Sequence, residues 1–285
     1  MADLAPIQAV EGRSGIYSSL SQREYLERVE RILEYIRAGD CYQVNFSQRL
    51  LCQARWPASV LFEKLREFSP APFSAFLDGG DFAIGSASPE RFLRLERGRV
   101  EARPIKGTRP RGRSESEDSR LVAELRGSDK DRAENVMIVD LLRNDLGRVC
   151  RYGSVRVPSV CRVETYPHLH HLVSVVRGRL RNDLDPTDLL RAAFPGGSVT
   201  GAPKVRAMEI ISELEPCARA AYCGSLGYIS FDGSMDMSIL IRTFTMAGGW
   251  VQFPVGGGIV ADSKPEDEYR ETWVKASGFL GALSP

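Results

Sequence analysis

Lys106 is the residue of this chain whose type and context point to the most specific chemistry, because it lies in the tight proline- and glycine-containing run Arg-Pro-Ile-Lys-Gly-Thr. A lysine amine is a nucleophile only when it is neutral, and free lysine near pH 7 is almost entirely protonated. Burial or a nearby positive charge can lower the pKa of such an amine enough for it to attack carbon. The residue type therefore permits covalent catalysis, although a lone lysine is more commonly a surface cation.

Two pairs of acidic residues could bind a metal ion. Asp131 and Glu134 are three positions apart in one helical segment, and Glu268 and Glu271 are three apart in another. This spacing places both carboxylates of a pair on one helical face. Two such faces brought together would form an anionic pocket that suits a hard divalent cation, Mg²⁺ above all. Either pair alone is more typical of an ordinary solvated helix surface.

Three further features could bind an anion. Residues 195–201 form a glycine-rich turn before a helix that begins near Pro203, and helix N-termini bind anions through backbone N–H groups. Gly256–Gly258 would allow a ligand to approach the backbone closely, although a flexible turn explains them equally well. Arg242 ends an apolar run and requires an anionic partner, either a protein carboxylate or a ligand carboxylate.

Histidine and cysteine do not indicate a zinc site. His168, His170 and His171 lie on mixed strand faces, so we expect packed or hydrogen-bonded side chains. The six cysteines show neither Cys-x-x-Cys nor zinc spacing, and are expected to be buried, reduced thiols of a cytoplasmic protein.

The composition predicts a globular protein without nucleic-acid or membrane partners. The 285 residues are 43% hydrophobic and 26% charged, which is typical of soluble domains. Lysine and arginine (38) nearly balance aspartate and glutamate (37), so no overall field favours polyanions or anionic membranes. No apolar run approaches the roughly 20 residues of a membrane span, and the first residues do not resemble a signal peptide.

The helices and strands that must position these residues are grouped along the chain, and helix and strand do not strictly alternate. The patterns predict helices over residues 21–38 and 120–146 and from Pro265 onward, strands over 41–52 and 171–180, several short strands between 73 and 103, and a solvated loop over 107–119. Such grouping favours an α+β fold with antiparallel sheets.

Together these segments resemble the chorismate-utilising enzymes, a family that includes anthranilate, aminodeoxychorismate, isochorismate and salicylate synthases. The matching segments occur in the family's order and cover nearly all of the chain from about Gln22. They are SPERF (88–92), DRAEN (131–135), LRNDL (142–146), HLVS (171–174), FPGGSVTGAPK (194–204), IRT (241–243) and GGIVADS (257–263).

The resemblance implies the fold of this family, in which antiparallel sheets pack in a sandwich with helices on the outside. It also implies a lead segment over residues 1–20 and a chorismate-binding catalytic domain over residues 21–285. Family members usually carry a substantial N-terminal portion before this region, and we expect that portion to be absent here.

The resemblance also implies roles for individual residues. Glu134 and Glu271 would ligate Mg²⁺, which holds the ring carboxylate of chorismate, with support from Asp131 and Glu268. The pyruvyl carboxylate would be bound by Arg242, Tyr222 and the backbone around Gly258, while Thr200 and Lys275 line the same pocket. The catalytic residues would be Glu90 as the acid/base for the 4-hydroxyl, His171 beside the ring, and Lys106.

Two positions distinguish the branches of the family. Lys106 resembles the branch that forms aminodeoxychorismate, because anthranilate synthases usually carry alanine there. Gln43 replaces the lysine with which isochorismate and salicylate synthases activate water, and glutamine cannot act as that base. The resemblance therefore favours amination of chorismate at C4 through a covalent lysine intermediate.

The implied nitrogen source is ammonia released from glutamine by a separate glutaminase subunit, because no cysteine of the chain lies in a nucleophile-elbow context. Two alternatives remain open. One is an anthranilate synthase component I, and the other, of a different class, is a non-catalytic chorismate-binding scaffold subunit.

Overall fold

A computed structural model describes Leu4 and residues 6–167 and 169–284. These residues form two compact units. The first contains the described residues up to Pro89, Val199–Leu226 and the described residues from Ile239 onward. The second contains Glu90–Ser198 and Gly227–Ser238.

Helices occur in both units. The described ranges contain one short 3₁₀ helix, Gly197–Val199. The α-helices are α1 (Gln22–Arg37), α2 (Ala58–Phe68), α3 (Glu115–Gly127), α4 (Asp129–Gly147), α5 (Pro186–Ala193), α6 (Lys204–Leu214) and α7 (Pro265–Ala282).

All strand pairs recorded between the strands are antiparallel. The strands are β1 (Gln8–Ala9), β2 (Tyr17–Ser18), β3 (Gln43–Gln53), β4 (Phe73–Asp78), β5 (Phe82–Ser88), β6 (Arg91–Glu96), β7 (Arg99–Ala102), β8 (Ile105–Pro110), β9 (Arg156–Thr165), β10 (Leu169–Arg179), β11 (Gly201–Ala202), β12 (Ser225–Ile229), β13 (Met235–Ile239), β14 (Thr243–Ala247) and β15 (Trp250–Ile259). With the helices they confirm the expected α+β class and antiparallel sheets.

The first unit is built on a sheet with the strand order β1-β2-β3-β15-β14-β5-β4, and β11 pairs with β3. Helix α1 begins at a capping box formed by Ser21 and Glu24, which stabilises the start of a helix. One face of α1 buries Tyr25, whose ring packs 5.0 Å from that of Phe46 on β3. Burial of this apolar face holds α1 against the sheet, where α7 also contacts β15.

The second unit is built on a sheet with the strand order β12-β13-β6-β7-β10-β8, and β9 pairs with the other edge of β10. Helices α3 and α4 contact β8, β9 and β10. Leu125 of α3 packs in a buried cluster with Cys161 and Leu172. A polar contact adds to this packing, because Asn135 of α4 donates from Nδ2 to the carbonyl of Leu172 at 3.2 Å.

The interpretation of residues 107–119 as a solvated loop is wrong. Their first part belongs to β8, and α3 begins at Glu115, where the Ser114 side chain accepts a hydrogen bond from the Glu117 backbone N–H. The single helix expected over 120–146 is in fact two helices. Ser128 ends α3 and caps α4 by accepting from the Asp131 backbone N–H, so the local capping chemistry interrupts the helical pattern.

Gly256–Gly258 lie inside β15 rather than in a flexible turn before a strand. Their strand pairs with β3 over an unbroken register, in which Gly256 lies opposite Ser47 and Gly258 opposite Asn45. A methyl group on Gly256 would lie 2.3 Å from the carbonyl oxygen of Phe46, so close packing of the two strands requires glycine there.

The segment expected to be a lead over residues 1–20 contributes β1 and β2 to the first sheet, although Met1, Ala2, Asp3 and Ala5 lie outside the described residues. The six cysteines are free, five of them buried and Cys217 half-buried. Among the described residues, no helix is both long enough and apolar enough to cross a lipid bilayer.

Candidate active site

The residues that the sequence assigns to catalysis, substrate binding and metal binding divide between the two units. The second unit carries Glu90, Lys106, Asp131, Glu134 and His171. The first unit carries Thr200, Tyr222, Arg242, Gly258, Glu268, Glu271 and Lys275.

Lys106 lies on β8 next to a β-bulge. Strand β8 pairs with β10 so that Thr108 is opposite His171 and Lys106 is opposite Leu172, which leaves Gly107 as an extra residue. Gly107 has φ +75°, a left-handed conformation that suits glycine at the first position of such a bulge. The bulge thereby allows neighbouring positions of β10 to face Lys106 and Thr108.

The amine of Lys106 forms an ion pair with Glu134 of α4, with 3.6 Å between Nζ and Oε2. The side chain of Lys106 is 15% exposed and that of Glu134 is 14% exposed, so this ion pair is largely removed from water. Asp131 lies one turn earlier on the same helix, where its Oδ2 is 3.6 Å from Nη2 of Arg109. The i, i+3 acidic pair therefore lies on the side of α4 that faces β8.

Glu90 is a buried carboxyl with raised proton affinity. It precedes β6 and is 7% exposed. Burial raises the pKa of Glu90 from 4.5 to about 7, while a hydrogen bond from Ser198 and the charge of Lys106 oppose the rise. A carboxyl that titrates near neutral pH is suited to donate and accept a proton during catalysis.

The histidines are hydrogen-bonded, as the sequence suggested. Nδ1 of His171 is 2.9 Å from Oγ1 of Thr108, across the β8–β10 pair. His170 is fully buried, with Nδ1 2.9 Å from Oγ1 of Thr165 and Nε2 2.9 Å from Oδ1 of Asp118. His168 lies outside the described residues.

We expect Gly107→Ala to lower both stability and activity. The added methyl group would lie 2.8 Å from Cγ of Asp131 and 2.8 Å from Cδ1 of Leu125, at a positive φ that L-residues avoid. The bulge that places Lys106 would have to change, at a cost of about 1–3 kcal/mol in the free energy of unfolding.

Gly98→Ala is a matched control for this prediction. Gly98 has a similar φ of +72° but no atom within 4 Å of an added methyl group. The thermal unfolding temperature, and the activity on chorismate that the resemblance implies, should both be affected more by Gly107→Ala than by Gly98→Ala. Equal effects of the two substitutions would show that the contacts of the added methyl group at position 107 with Asp131 and Leu125 do not affect stability or activity.

In the first unit, α7 directs two carboxylates and one amine toward the backbone of Gly257. A methyl group built on Gly257 would lie 3.2 Å from Oε2 of Glu268, 3.4 Å from Nζ of Lys275 and 3.6 Å from Oε1 of Glu271. Lys275 also contacts Oε1 of Glu271 at 2.7 Å and donates to the carbonyl of Gly256 at 2.8 Å. Oε1 of Glu268, which is buried, accepts from the hydroxyl of Ser263 at 2.6 Å.

Arg242 is a partly buried cation that contacts a hydroxyl rather than a carboxylate. Its Nη1 lies 3.1 Å from Oγ of Ser69, and no ion pair is recorded for it among the described residues. Burial lowers the pKa of Arg242. Its backbone has φ +49°, a strained conformation that tends to occur at functional sites. Such a guanidinium is free to bind an anionic ligand.

Tyr222 and Thr200 are also buried, at 7% and 3% exposure. Burial raises the pKa of Tyr222 well above its ordinary value, so its hydroxyl keeps its proton and can donate a hydrogen bond. The carbonyl of Thr200 accepts from the backbone N–H of Asn45 at 2.8 Å, and Asn45 in turn is opposite Gly258 in the sheet. Thr200 and Gly258 therefore both adjoin Asn45.

The same strand carries buried amides with unused hydrogen-bonding capacity. Gln43 is fully buried and Asn45 is 7% exposed. Both amide atoms of Gln43 and Nδ2 of Asn45 make no hydrogen bond within the described part of the chain. Buried polar atoms without partners are rare in native proteins, so this face of β3 is suited to a polar ligand or water.

The carboxylates of Glu268 and Glu271 in the first unit fit a hard divalent cation in chemistry, because both approach the backbone of Gly257. Among the described residues, however, no group of three or more histidine, cysteine, aspartate or glutamate side chains is close enough to hold one ion. The Mg²⁺ site therefore stays a prediction from the sequence.

Sequence reasoning did not assign to the site several residues that contact predicted site residues, and two of these contact carboxylates through hydroxyl groups. Ser198 donates a hydrogen bond to Glu90, and Ser263 donates one to Glu268. Ser198 follows two glycines in the glycine-rich turn, and Ser263 lies five residues before Glu268. A hydroxyl in such a turn or shortly before a helix is the signal that could have identified each of them.

Comparison with known proteins identifies the family. The sequence matches the chorismate binding enzyme family over residues 3–281. Aminodeoxychorismate synthase component 1 of Salmonella typhimurium is 54% identical over 266 residues, which are 93% of this chain and 59% of the relative. Anthranilate synthase component 1 of Thermus thermophilus is 49% identical over 278 residues, which are 98% of this chain and 60% of the relative.

The fold agrees with that of a solved relative. The crystal structure of anthranilate synthase component I from Streptococcus pneumoniae matches with a TM-score of 0.85 and 36% identity, covering 97% of this chain and 60% of that chain. The chain thus spans about 60% of the length of the relatives it matches. The resemblance drawn from its motifs is confirmed, and the chain belongs to the chorismate binding enzyme family.

Proposed function

We propose that this chain is the chorismate-converting component of an aminodeoxychorismate synthase. It would convert chorismate and ammonia into 4-amino-4-deoxychorismate, a precursor of 4-aminobenzoate and folate. The observation that carries the proposal is Lys106, at the position that separates the branches of the family. Its amine is largely buried, 3.6 Å from Glu134, and its charge affects the pKa of Glu90.

The first proposed step joins Lys106 to the substrate. The Lys106 ammonium first releases one proton to water, and the neutral amine then bonds to C2 of chorismate. The ring double bonds shift, the bond from C4 to the hydroxyl breaks, and the proton of Glu90 departs with the hydroxyl as water. The Glu90 carboxylate then takes up the proton of the new C–N bond, which the raised pKa of this group favours.

The second step releases the product. Ammonia bonds to C4, the double bonds shift back, and the bond between C2 and Lys106 breaks while Glu90 protonates the departing amine. The new ammonium group at C4 then returns one proton to the Glu90 carboxylate, which regenerates the acid and the neutral Lys106 amine. Chorismate and ammonia are thereby converted to 4-amino-4-deoxychorismate and water. A covalent intermediate divides one difficult displacement into two allylic ones, with the new amine at C4.

The remaining predicted residues would bind the substrate. Arg242 and Tyr222 would supply a cation and a protonated hydroxyl for the pyruvyl carboxylate, with the backbone around Gly258, while Thr200 and Lys275 would line the same pocket. His171 would lie beside the ring. Support for this assignment comes from the partly buried guanidinium of Arg242, whose recorded side-chain contact is a hydroxyl.

Glu134 and Glu271 would hold Mg²⁺, with support from Asp131 and Glu268. The ion would supply neutralisation of the ring carboxylate of chorismate. The chemistry of the carboxylate oxygens that converge near Gly257 supports this assignment.

The ammonia would come from glutamine through a glutaminase subunit. The relative of Salmonella typhimurium is named component 1, which implies a second component for that protein. We extend this partnership to the present chain as part of the proposal. The cytoplasmic location that the cysteine pattern predicts also stays a prediction.

The proposal is tested by identifying the product. Purified protein would be incubated with chorismate, ammonium and Mg²⁺, and the products separated and identified by mass. We expect 4-amino-4-deoxychorismate, which retains the enolpyruvyl group. Formation of fluorescent anthranilate would instead support the second candidate, which the 49% identity to an anthranilate synthase component favours. Binding of chorismate without conversion would indicate a scaffold subunit.

A further inference from the structure

A buried ion pair lies just beyond α6 in the first unit. Arg219 and Glu215 are 15% and 5% exposed in their side chains. Nη2 of Arg219 is 2.6 Å from Oε1 of Glu215, and Nε is 2.8 Å from Oε2. This two-point arrangement matches the planar guanidinium to the carboxylate. A buried pair of this kind needs further hydrogen bonds to offset the loss of water.

Those further bonds go to the backbone of two separate segments. Arg219 donates from Nη1 to the carbonyl of Val199 at 2.7 Å and from Nη2 to the carbonyl of Asn45 at 2.6 Å. Oε1 of Glu215 accepts from the backbone N–H and the hydroxyl of Ser47, at 2.9 and 2.8 Å. These five residues form what we call the Arg219 network.

The network borders the residues predicted to bind substrate. Val199 immediately precedes Thr200, whose carbonyl accepts from the N–H of Asn45 at 2.8 Å. Gly201 then pairs with β3, and an added methyl group there would lie 2.1 Å from the carbonyl oxygen of Gln43. Arg219 thus fixes the start of a segment that packs closely on β3 and carries Thr200.

Arg219 also begins the turn that carries Tyr222. The carbonyl of Arg219 accepts from the backbone N–H of Tyr222 at 3.0 Å. Ala220, inside this turn, and Cys223, directly after it, have φ of +51° and +64°. Non-glycine residues adopt this conformation only where the surrounding structure holds them in it. The guanidinium of Arg219 does so at one end, because it donates a hydrogen bond to the thiol of Cys223.

We propose that Arg219, through its ion pair with Glu215, is a positioning residue that holds Thr200 and Tyr222 in place for chorismate binding. This inference rests on the proposed function. Arg219 donates four hydrogen bonds from three nitrogen atoms to oxygen acceptors that lie in different directions. The single nitrogen atom of a lysine cannot reproduce this geometry. Its loss should therefore affect substrate binding more than the chemical step, because neither Lys106 nor Glu90 belongs to the network.

The test compares Arg219→Lys and Glu215→Gln with the wild-type chain. Circular dichroism and thermal unfolding report folding, calorimetric titration with chorismate and Mg²⁺ reports binding, and steady-state assays report KM and kcat. We expect Arg219→Lys to weaken chorismate binding and raise KM about tenfold, with kcat changed less than about threefold. Glu215→Gln keeps one acceptor oxygen for Ser47 and for Nη2 of Arg219, but it places an amide NH2 opposite Nε of Arg219. Arg219 keeps its bonds to Val199 and Asn45 in this variant, so KM should rise in the same direction but by less.

Arg31→Lys and Glu34→Gln are matched controls on α1. This pair is exposed by 53% and 54%, with 2.7 Å between Nη1 and Oε2, and should leave KM unchanged. If Arg219→Lys does not fold, Glu215→Gln and the milder Ser47→Ala, which removes one hydroxyl donor to Glu215, decide the question. A raised KM in a folded variant supports the inference.

Three results would overturn the inference. The first is a folded Arg219→Lys variant that binds chorismate as tightly as wild type. The second applies if Arg219→Lys does not fold, and is a wild-type KM in both folded Glu215→Gln and folded Ser47→Ala. A loss in kcat with unchanged KM would also contradict a role in substrate binding. Failure of the wild-type chain to bind chorismate at all is a different result, because it overturns the proposed function itself.

Discussion

Lys106→Ala should abolish formation of 4-amino-4-deoxychorismate, with a fall in rate of about a thousandfold or more, while chorismate still binds. The substitution removes the nucleophile but none of the groups proposed to bind the substrate carboxylates. Any remaining amination should be redirected to C2, because the anthranilate-forming relatives that the motifs resemble usually carry alanine at this position. Product identification by mass and calorimetric titration with chorismate together measure both effects.

The covalent step can be examined directly. Incubation of wild-type protein with chorismate and Mg²⁺, without ammonia, should give a peptide containing Lys106 with the mass of the added ring. Lys130→Ala, at an exposed position on α4, is the control and should behave as wild type. Formation of the C4-aminated product by Lys106→Ala at the wild-type rate would show that the lysine is incidental.

Glu90→Gln should lower the rate of amination about a hundredfold or more, because an amide cannot transfer the proton that the 4-hydroxyl requires. In the wild-type protein the proton donor is the neutral carboxyl, which predominates below its pKa of about 7. Activity that depends on this donor should therefore decline as the pH rises through about 7. The variant should show a much smaller dependence on pH over the same range.

The same substitution should increase stability at alkaline pH. Because burial raises the pKa of Glu90 from 4.5 to about 7, the folded protein binds more protons than the unfolded chain between these values. Stability from this group is fully present below about pH 4.5 and is lost as the pH rises through about 7. The difference corresponds to about 3 kcal/mol, at about 1.4 kcal/mol per pKa unit.

Denaturant unfolding at pH 5 and pH 8 measures this linkage. The free energy of unfolding of Glu90→Gln, relative to that of wild type, should increase by about 2–3 kcal/mol from pH 5 to pH 8. Glu11→Gln, at an exposed position, is the control and should show little change. If the free energies of unfolding of Glu90→Gln and wild type differ by the same amount at both pH values, the pKa of Glu90 is not raised by folding.

Local signals in the sequence were sufficient to predict several helices. The helix expected over residues 21–38 is α1 (Gln22–Arg37), because the capping box of Ser21 and Glu24 and the buried apolar face agree. The helix expected from Pro265 onward is α7, with proline in its first turn. These elements are specified by neighbours in sequence, which is why periodicity and capping rules predict them.

The remaining parts depend on contacts between distant residues. The bulge at Gly107 arises from pairing with β10, more than sixty residues later in the chain. The ion pair between Lys106 and Glu134 requires β8 to pack beside α4. The sequence indicated which residue types could perform the chemistry, but their pairing, and the hydrogen bond from Ser198 to Glu90, follow from tertiary structure.

The extra residue at Gly107 has a consequence for how this family diversifies. The hydrogen bonds of β8 on either side of it are made by backbone atoms, and the bulge itself by glycine, so the side chain at 106 takes no part in strand pairing. That side chain can be exchanged without disturbing the register of the strand. Under the proposed role of Lys106, reaction outcome would therefore evolve at one codon, on an unaltered scaffold.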